Sequence, residues 1–501
     1  MDQKEFDDLT GTCDRILQRF SSDHAVVAIP WLHVLNGHPN SIGQYAHAFK
    51  RRSFFSAVAL LLSNLVYIFF KLLQSLVLFR TNKINVDGEL ANADVLFISH
   101  LVSLSLNEKD FYFATLPSHL HRATGLSAAI GLINHTPSQN NIKIRARKEE
   151  GEPQRIVFSK TMSFASEIGF AVKCFSSFTK LAGAGNKEKD SVSKNIFREA
   201  ALHAMTPETL TALRIREHIR QLLEQTAATN LVFTWEGRSW ERMAIHAARS
   251  LDHSVRCVGY QHTILLASSH ALKKSLGKEY DPDAIFTIGK KTADILRSAD
   301  ELKGTDITVY GSYRLSMSPD QNPERIESDF QCLVTPEGIE SECVLLFDLA
   351  IQLAAQSPAI NFVFRNHPVL PYDMLSKKYK RFAKLPANCS LSNSPDINED
   401  FKKSDFLLYR GSSVCMYAVM QGLRPVYYAL PNEISIDPLY QLGNWRMTVQ
   451  NEDDFMDAVG SHKNAPVLAK KEMYESARSF CDDYLQLPDE NMFYHTILLK
   501  K

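Results

Sequence analysis

An excess of charge of either sign is missing from this sequence. Lys and Arg together number 56 and Asp and Glu together number 56 in 501 residues, so no global field draws the chain to a polyanion. No basic run interleaved with aromatics occurs, and nucleic acid is not an expected partner. Cysteine pairs are missing as well. The eight cysteines (Cys13, Cys174, Cys257, Cys332, Cys343, Cys389, Cys415 and Cys481) form no CxxC and show no zinc-ligand spacing, which argues against a disulfide framework and a structural zinc. Thiols scattered in this way fit a reducing compartment. The N-terminus, MDQKEFDDL, lacks the apolar core of a secretory signal. GxxxxGK[ST], GxGxxG, HExxH and GxSxG are all absent.

The remaining composition is that of a folded chain, with 45% hydrophobic and 22% charged residues. At about 100–200 residues per domain, two or three domains are expected. One segment departs from the soluble pattern. Residues 53–70, SFFSAVALLLSNLVYIFF, carry no charge; Lys71 interrupts, and apolar sequence resumes to Phe79. Lys50, Arg51 and Arg52 precede the segment and Arg80 follows it. Its length meets the lower limit for a membrane span. Asn64 at its middle and cations at both ends leave the orientation undecided and favour a helix or hairpin lying in the membrane interface over a true span or a buried core helix.

Along the chain, apolar runs alternate with helical patterns, the signature of parallel α/β sheets. Ala25–Ile29 and Val95–Ile98 read as strands, residues 140–153 as a loop, and 160–226 as mostly helical with a loop near Gly183–Lys189. Then follow strand Leu231–Thr234, helix Glu236–Ser250, strands Arg256–Tyr260 and Ala284–Ile288, helix Lys290–Ser298 and strand Ile307–Tyr310. Beyond the polar stretch Ser316–Ser328 a second series begins. Cys343–Phe347 reads as a strand, Asp348–Gln356 as a helix and Asn361–Arg365 as a strand. Asp405–Tyr409, helix Ser412–Gln421, strand Pro425–Ala429 and a helix from Phe455 complete it. The expected organisation is a Rossmann-like domain over 1–315 with the apolar segment 53–79 inserted, a linker at 316–330, and a second Rossmann-like domain over 331–501 ending in a helical tail. The fold class is α/β, two Rossmann-like domains facing a cleft.

Candidate chemistry sits where strands end, because α/β proteins bind ligands there. In TWEGRSWE, Glu236 follows a strand and opens a helix, and Gly237 lets backbone approach a ligand. Glu236 has the chemistry of a general base, while Glu236 and Glu241 also suit a helix N-terminus. In GYQHT, Gln261 and His262 are placed to bond sugar or phosphate oxygens. The loop AIPWLHVLNGHPN brings Trp31, His33 and His38 toward the expected cleft, with His33 an acceptor-site candidate. In the second half, FVFRNHP supplies Arg365, His367 and Pro368. LLYRGSSVCMYAVMQG supplies Arg410, Gly411, Ser412 and Ser413 between a strand and a helix, where amides, hydroxyls and the helix dipole suit a phosphate. A serine there also caps the helix.

In that order, Glu236-Gly237, His367-Pro368 and Ser412-Ser413 resemble the motifs of GT-B glycosyltransferases that use CMP-activated sugars, the bacterial sialyltransferases among them. Capsule Kdo transferases share the His-Pro pattern. The Glu-Gly…Trp-Glu and Gly-Tyr-Gln-His segments also look like bacterial surface-carbohydrate biosynthesis proteins. The resemblance covers about residues 230–430 and departs at Trp235, where the family has a first acid. It implies a GT-B fold and a metal-independent glycosyltransferase with no cofactor beyond a nucleotide-sugar donor, CMP-linked to a sialic acid-like or Kdo-like ulosonic acid. Glu236 is then the base, His367 stabilises the leaving phosphate, and Ser412 and Ser413 hold it. The implied acceptor is a glycan or lipid-linked precursor, and the implied location is cytoplasmic, on the inner face of the cytoplasmic membrane. Two alternatives remain: a CDP-polyol-type phosphotransferase, and a non-catalytic GT-B-fold component of a polysaccharide assembly complex.

Overall fold

The computed structural model describes residues 1–78, 91–102, 110–136, 153–313 and 330–498. The expected linker stretch 316–328, nearly all of the expected loop 140–153 and Phe79 lie outside the described residues.

Two parallel sheets form the frame. The first contains β1 (Val95–Leu101), β2 (Ala128–Asn134), β3 (Gln154–Val157), β4 (Asn230–Thr234), β5 (Arg256–Gln261), β6 (Ala284–Thr287) and β7 (Asp306–Val309), in the order β3-β2-β1-β4-β5-β6-β7. The second contains β8 (Phe330–Val334), β9 (Ile360–Phe364), β10 (Cys389–Leu391), β11 (Phe406–Tyr409), β12 (Arg424–Tyr428) and β13 (Met447–Val449), in the order β10-β9-β8-β11-β12-β13. Every described strand pair is parallel. The central strands are buried on both faces, β4 along its whole length, and this explains why they read as unbroken apolar runs rather than alternating ones. In each sheet the order reverses direction once, between β1 and β4 and between β8 and β11. Such switch points open a crevice at the strands' carboxyl ends.

The helical stretch 160–226 resolves into Phe164–Gly185, Ser191–His203 and Pro207–Gln225. Three expectations are corrected. Ala25–Ile29 is not a strand: Asp23 caps a short helix, His24–Val27, by accepting from the Ala25 amide at 3.2 Å, and a 3-10 turn, Pro30–Leu32, follows. A five-residue apolar run cannot tell a strand from a buried helix, and the cap decides here. Cys343–Phe347 belongs to the helix Glu340–Gln356, whose inner face carries Cys343, Leu346, Phe347, Ala350 and Leu353. The strand pairing with β9 and β11 is instead β8, at the end of the expected linker. The helix expected from Glu236 begins at Ser239, because Gly237 has φ 77° and breaks helical geometry.

The apolar segment is one helix, Phe54–Leu78. Its inward side packs on the helices Phe164–Gly185, Ser191–His203 and Pro207–Gln225. Lys71 lies on that inward side, its Nζ donating to Gln74 Oε1 at 2.9 Å and to the Lys160 carbonyl at 3.1 Å. At the other end of the chain, the helices Val467–Tyr484 and Glu490–Leu498 return to the first sheet. Phe493 stacks on Phe97 at 6.0 Å, and Arg256 Nη1 donates to the Thr496 carbonyl. The outgoing and returning backbones meet, with the Ser312 amide donating to the Gln486 carbonyl at 2.8 Å. All eight cysteines are buried free thiols.

Candidate functional site

The two switch points face one cavity of about 420 Å³, lined from the first half by Asn36, His38, Glu236, Arg238 and His262 and from the second by Glu337, His367 and Gly411–Ser413. A second cavity of about 840 Å³ lies wholly within the first half. It is lined by His100 of β1, His135 beyond β2, Tyr112, Trp240 and the helix Pro207–Gln225. Leu35, Glu236, Arg238, His262 and Thr263 belong to both linings. These five residues are therefore a wall between two adjoining chambers.

The wall is built by the turn after β4. Gly237 is required there twice over. Its φ is in the left-handed region, and a Cβ would stand 2.3 Å from the Ala271 carbonyl carbon. The buried Glu241, at the third position of the following helix, ties the turn down by accepting from the Glu236 amide at 2.9 Å and the Arg238 amide at 2.8 Å, and it bonds Thr234 at 3.2 Å. Burial pushes the Glu241 carboxyl up to about 8, and the charge of Glu236 adds to this against the two amide bonds. Glu241 lines neither chamber, so its expected contact with substrate is replaced by a structural one. Glu236 is opposite in character. Burial raises its carboxyl, but Arg238, His262 and the hydrogen bonds to Arg238 and Thr263 outweigh this and hold it below the usual carboxylate range. An ionised carboxylate thus stands at the wall, paired with Arg238.

Gln261 is buried and lines neither chamber; its Nε2 donates to the Thr263 carbonyl and shapes the loop that carries His262. The His262 ring meets Tyr112 edge-on at 4.6 Å. His33 reaches the second chamber with its Nε2 bonded to the Val27 carbonyl at 2.7 Å, and burial, with Arg242 nearby, pulls its imidazole down to about 4. It is a neutral hydrogen-bonding group at physiological pH.

In the second half, Ser412, Ser413 and Gly411 line the cleft with His367. The following helix is only Val414–Met420, shorter than expected. Ser413 makes no side-chain cap bond to that helix, so capping does not occupy its hydroxyl. A Cβ at Gly411 would fall 2.1 Å from Glu337 Oε1, so a larger residue there would push the Glu337 carboxylate aside. Pro368 does not line the cleft. Both expected arginines are spoken for. Arg410 is buried, with Nε on Glu342 Oε2 at 2.5 Å, Nη2 on Glu433 at 2.9 Å and Nη1 on the Tyr428 carbonyl at 3.0 Å. Arg365 is tied to Asp400, to Ser392 Oγ at 3.1 Å and to the Ser394 carbonyl at 3.0 Å. Neither lines the cleft, and both brace loops behind it.

Four groups escaped sequence reasoning. Arg238 was overshadowed by its acidic neighbour. Glu337 follows β8, a strand that begins where the expected linker ends, and its Oε1 bonds His38 Nε2 across the cleft at 3.1 Å. Burial lowers the His38 imidazole, but the Glu337 hydrogen bond and charge outweigh that and leave it raised. His100 and His135, with Nδ1 and Nε2 2.8 Å apart, each stand at a strand end, the same position as His262, and that was the available signal.

No protein-family model and no curated protein matches this sequence. Among solved structures it is similar to an α,α-trehalose-phosphate synthase (UDP-forming) from Burkholderia vietnamiensis, at 11% identity and TM-score 0.48 over 81% of this chain and 96% of that one. It is also similar to MurG from Acinetobacter baumannii, at 10% identity and TM-score 0.45 over 81% and 100%. A third is the glycosyltransferase SnogD from Streptomyces nogalater, at 13% identity and TM-score 0.43 over 81% and 99%. In its own strand order and cavities, this chain has the GT-B layout: two parallel α/β halves whose switch points face each other across one cleft.

Proposed function

We propose that the chain is a glycosyltransferase that holds a nucleotide-linked sugar in the smaller chamber and its acceptor in the larger. The observation that carries this reading is the position of Glu236, an ionised carboxylate in the wall common to both chambers. A base so placed accepts the proton of an acceptor hydroxyl as that oxygen bonds to the anomeric carbon. The sugar–phosphate C–O bond breaks, its electron pair leaves on the phosphate, and His367, Ser412 and Ser413 receive the developing charge. The donor we favour is a CMP-linked ulosonic acid, supported by the resemblance at these residues, and the acceptor a surface glycan or its lipid-linked precursor at the inner face of the cytoplasmic membrane. With Arg365 and Arg410 committed elsewhere, the second half offers a cradle of hydroxyls and one imidazole, which suits a single phosphate better than two.

Thermal-shift titration of the full chain with CMP, UMP, UDP and GDP tests the donor. CMP is expected to raise Tm most; a larger rise with UDP sinks the CMP assignment. Product analysis tests the reaction, since a phosphodiester in the product replaces glycosyl transfer by polyol-phosphate transfer.

The wall also sets a pH dependence. Glu236 works as a base only when ionised, so activity falls as pH drops through its depressed pKa. Arg238→Gln removes the main charge that depresses it. The acid limb of kcat/KM against pH is expected to move to higher pH in this variant, and an unmoved limb would show that another group titrates there.

A further inference from the structure

The helix Phe54–Leu78 is about 37 Å long at 1.5 Å per residue. Eleven of its large apolar side chains are exposed, Phe55 by 83%, with Leu62, Val66, Phe69, Leu73 and Val77 among the rest. They share one face, and the opposite face holds Asn64, Ile68, Lys71 and Ser75, all buried. The charge of Lys71 and the amide of Asn64 are thus turned into the protein, and only small hydroxyls, Ser56 and Ser63, interrupt the exposed apolar side chains. A neighbouring helix, Phe164–Gly185, exposes Phe164, Ile168, Val172 and Phe175 at helical spacing. The two helices pack on each other.

Charge identifies what this surface meets. From His24 to Leu78 the sequence has no Asp or Glu. The acid in the first turn of the second helix, Glu167, is buried and paired with Arg214 at 2.8 Å. Lys50 and Arg51 are exposed just before the first helix. Apolar side chains with cations at the border and no exposed carboxylate among them match an anionic bilayer surface. Crossing the bilayer would need Lys71 to leave the contacts that hold it and Asn64 to leave its buried position.

We infer that the two helices Phe54–Leu78 and Phe164–Gly185 together form a docking surface for an anionic lipid bilayer, lying in its interface and not spanning it. The surface adds a location to the transferase reading and rests on that reading only for the acceptor. One hydrophobic cluster joins Ile68 and Phe170 of these helices to Leu210, Ala212 and Leu213, and Ala212 also lines the larger chamber. A single helix therefore separates the lipid-facing surface from the chamber assigned to the acceptor.

The test is flotation of the purified full chain with vesicles of phosphatidylcholine alone and of phosphatidylcholine with phosphatidylglycerol. The expected result is binding that is stronger on the anionic vesicles and weakened by salt. Leu62→Asp with Phe69→Asp is expected to lower the bound fraction at least about tenfold, and Val172→Asp with Phe175→Asp to lower it too, although that pair lies outside the apolar segment. Leu468→Asp, exposed on a C-terminal helix, should bind like the parent. Each variant is checked by its thermal shift with CMP, so that loss of lipid binding with nucleotide response retained separates this surface from the donor site. Absence of vesicle binding, or a soluble dimer broken by the Leu62→Asp, Phe69→Asp pair, overturns the inference, the latter in favour of a second copy.

Discussion

Glu236→Gln is expected to lower transfer by about 10²–10⁴-fold, the usual contribution of a positioned general base. The amide keeps the size of the side chain and an oxygen that accepts from Arg238, so the turn tied by Glu241 stays in place. Donor binding should be unchanged, because the proposed phosphate ligands His367, Ser412 and Ser413 belong to the other half. Single-turnover transfer beside nucleotide binding by thermal shift separates the two effects. If Glu236→Gln transfers normally, the base lies elsewhere, and the His100–His135 pair in the larger chamber is the next position to probe. If it also loses nucleotide binding and melts early, Glu236 is a structural residue of the turn.

Arg410→Met should behave differently, as a folding defect and not as a binding one. Arg410 sits between Glu342 and Glu433 with side chains of low exposure on every side. Removing the cation leaves Glu342 buried without its partner, which typically costs about 3–5 kcal/mol. Urea unfolding of the full chain should show its earliest transition shifted by that amount, with nucleotide affinity of the remaining folded protein little changed. A stable Arg410→Met protein that binds nucleotide poorly would return Arg410 to the phosphate site.

The contrast between these two residues shows what the sequence could convey. Glu236, His367 and the two serines were legible because each follows an apolar run that ends abruptly, and a strand end is where a parallel sheet presents side chains to ligand. Arg410 has the same local setting and the opposite fate. Its partners, Glu342 and Glu433, lie 68 and 23 residues away, and nothing local announces a long-range ion pair. Glu241 was ambiguous for a similar reason, since a carboxylate in a first helical turn can cap or catalyse, and only its burial decides. Both sheets were legible in outline, yet β2, β3, β8, β10 and β13 were not recognised. Strands β10 and β13 have three residues each, too few for a pattern. β8 follows a polar stretch, and the apolar face of the next helix imitated a strand in its place. The apolar segment was found by composition alone, but its sidedness depends on which neighbours cover Lys71 and Asn64, and that is a tertiary fact.

The meeting of the outgoing and returning backbones at Ser312 and Gln486 has a mechanical consequence. The chain passes between the sheets twice, and the outgoing backbone at Ser312 is joined to the returning backbone at Gln486 by a hydrogen bond. A buried cluster also runs across both halves, from Val95 and Phe97 to Leu407 and Tyr409, so any change in the gap between Glu236 and the serines has to rearrange packed side chains as well as the crossing. The His38–Glu337 contact spans that gap at 3.1 Å and ties the two halves directly at the cavity wall.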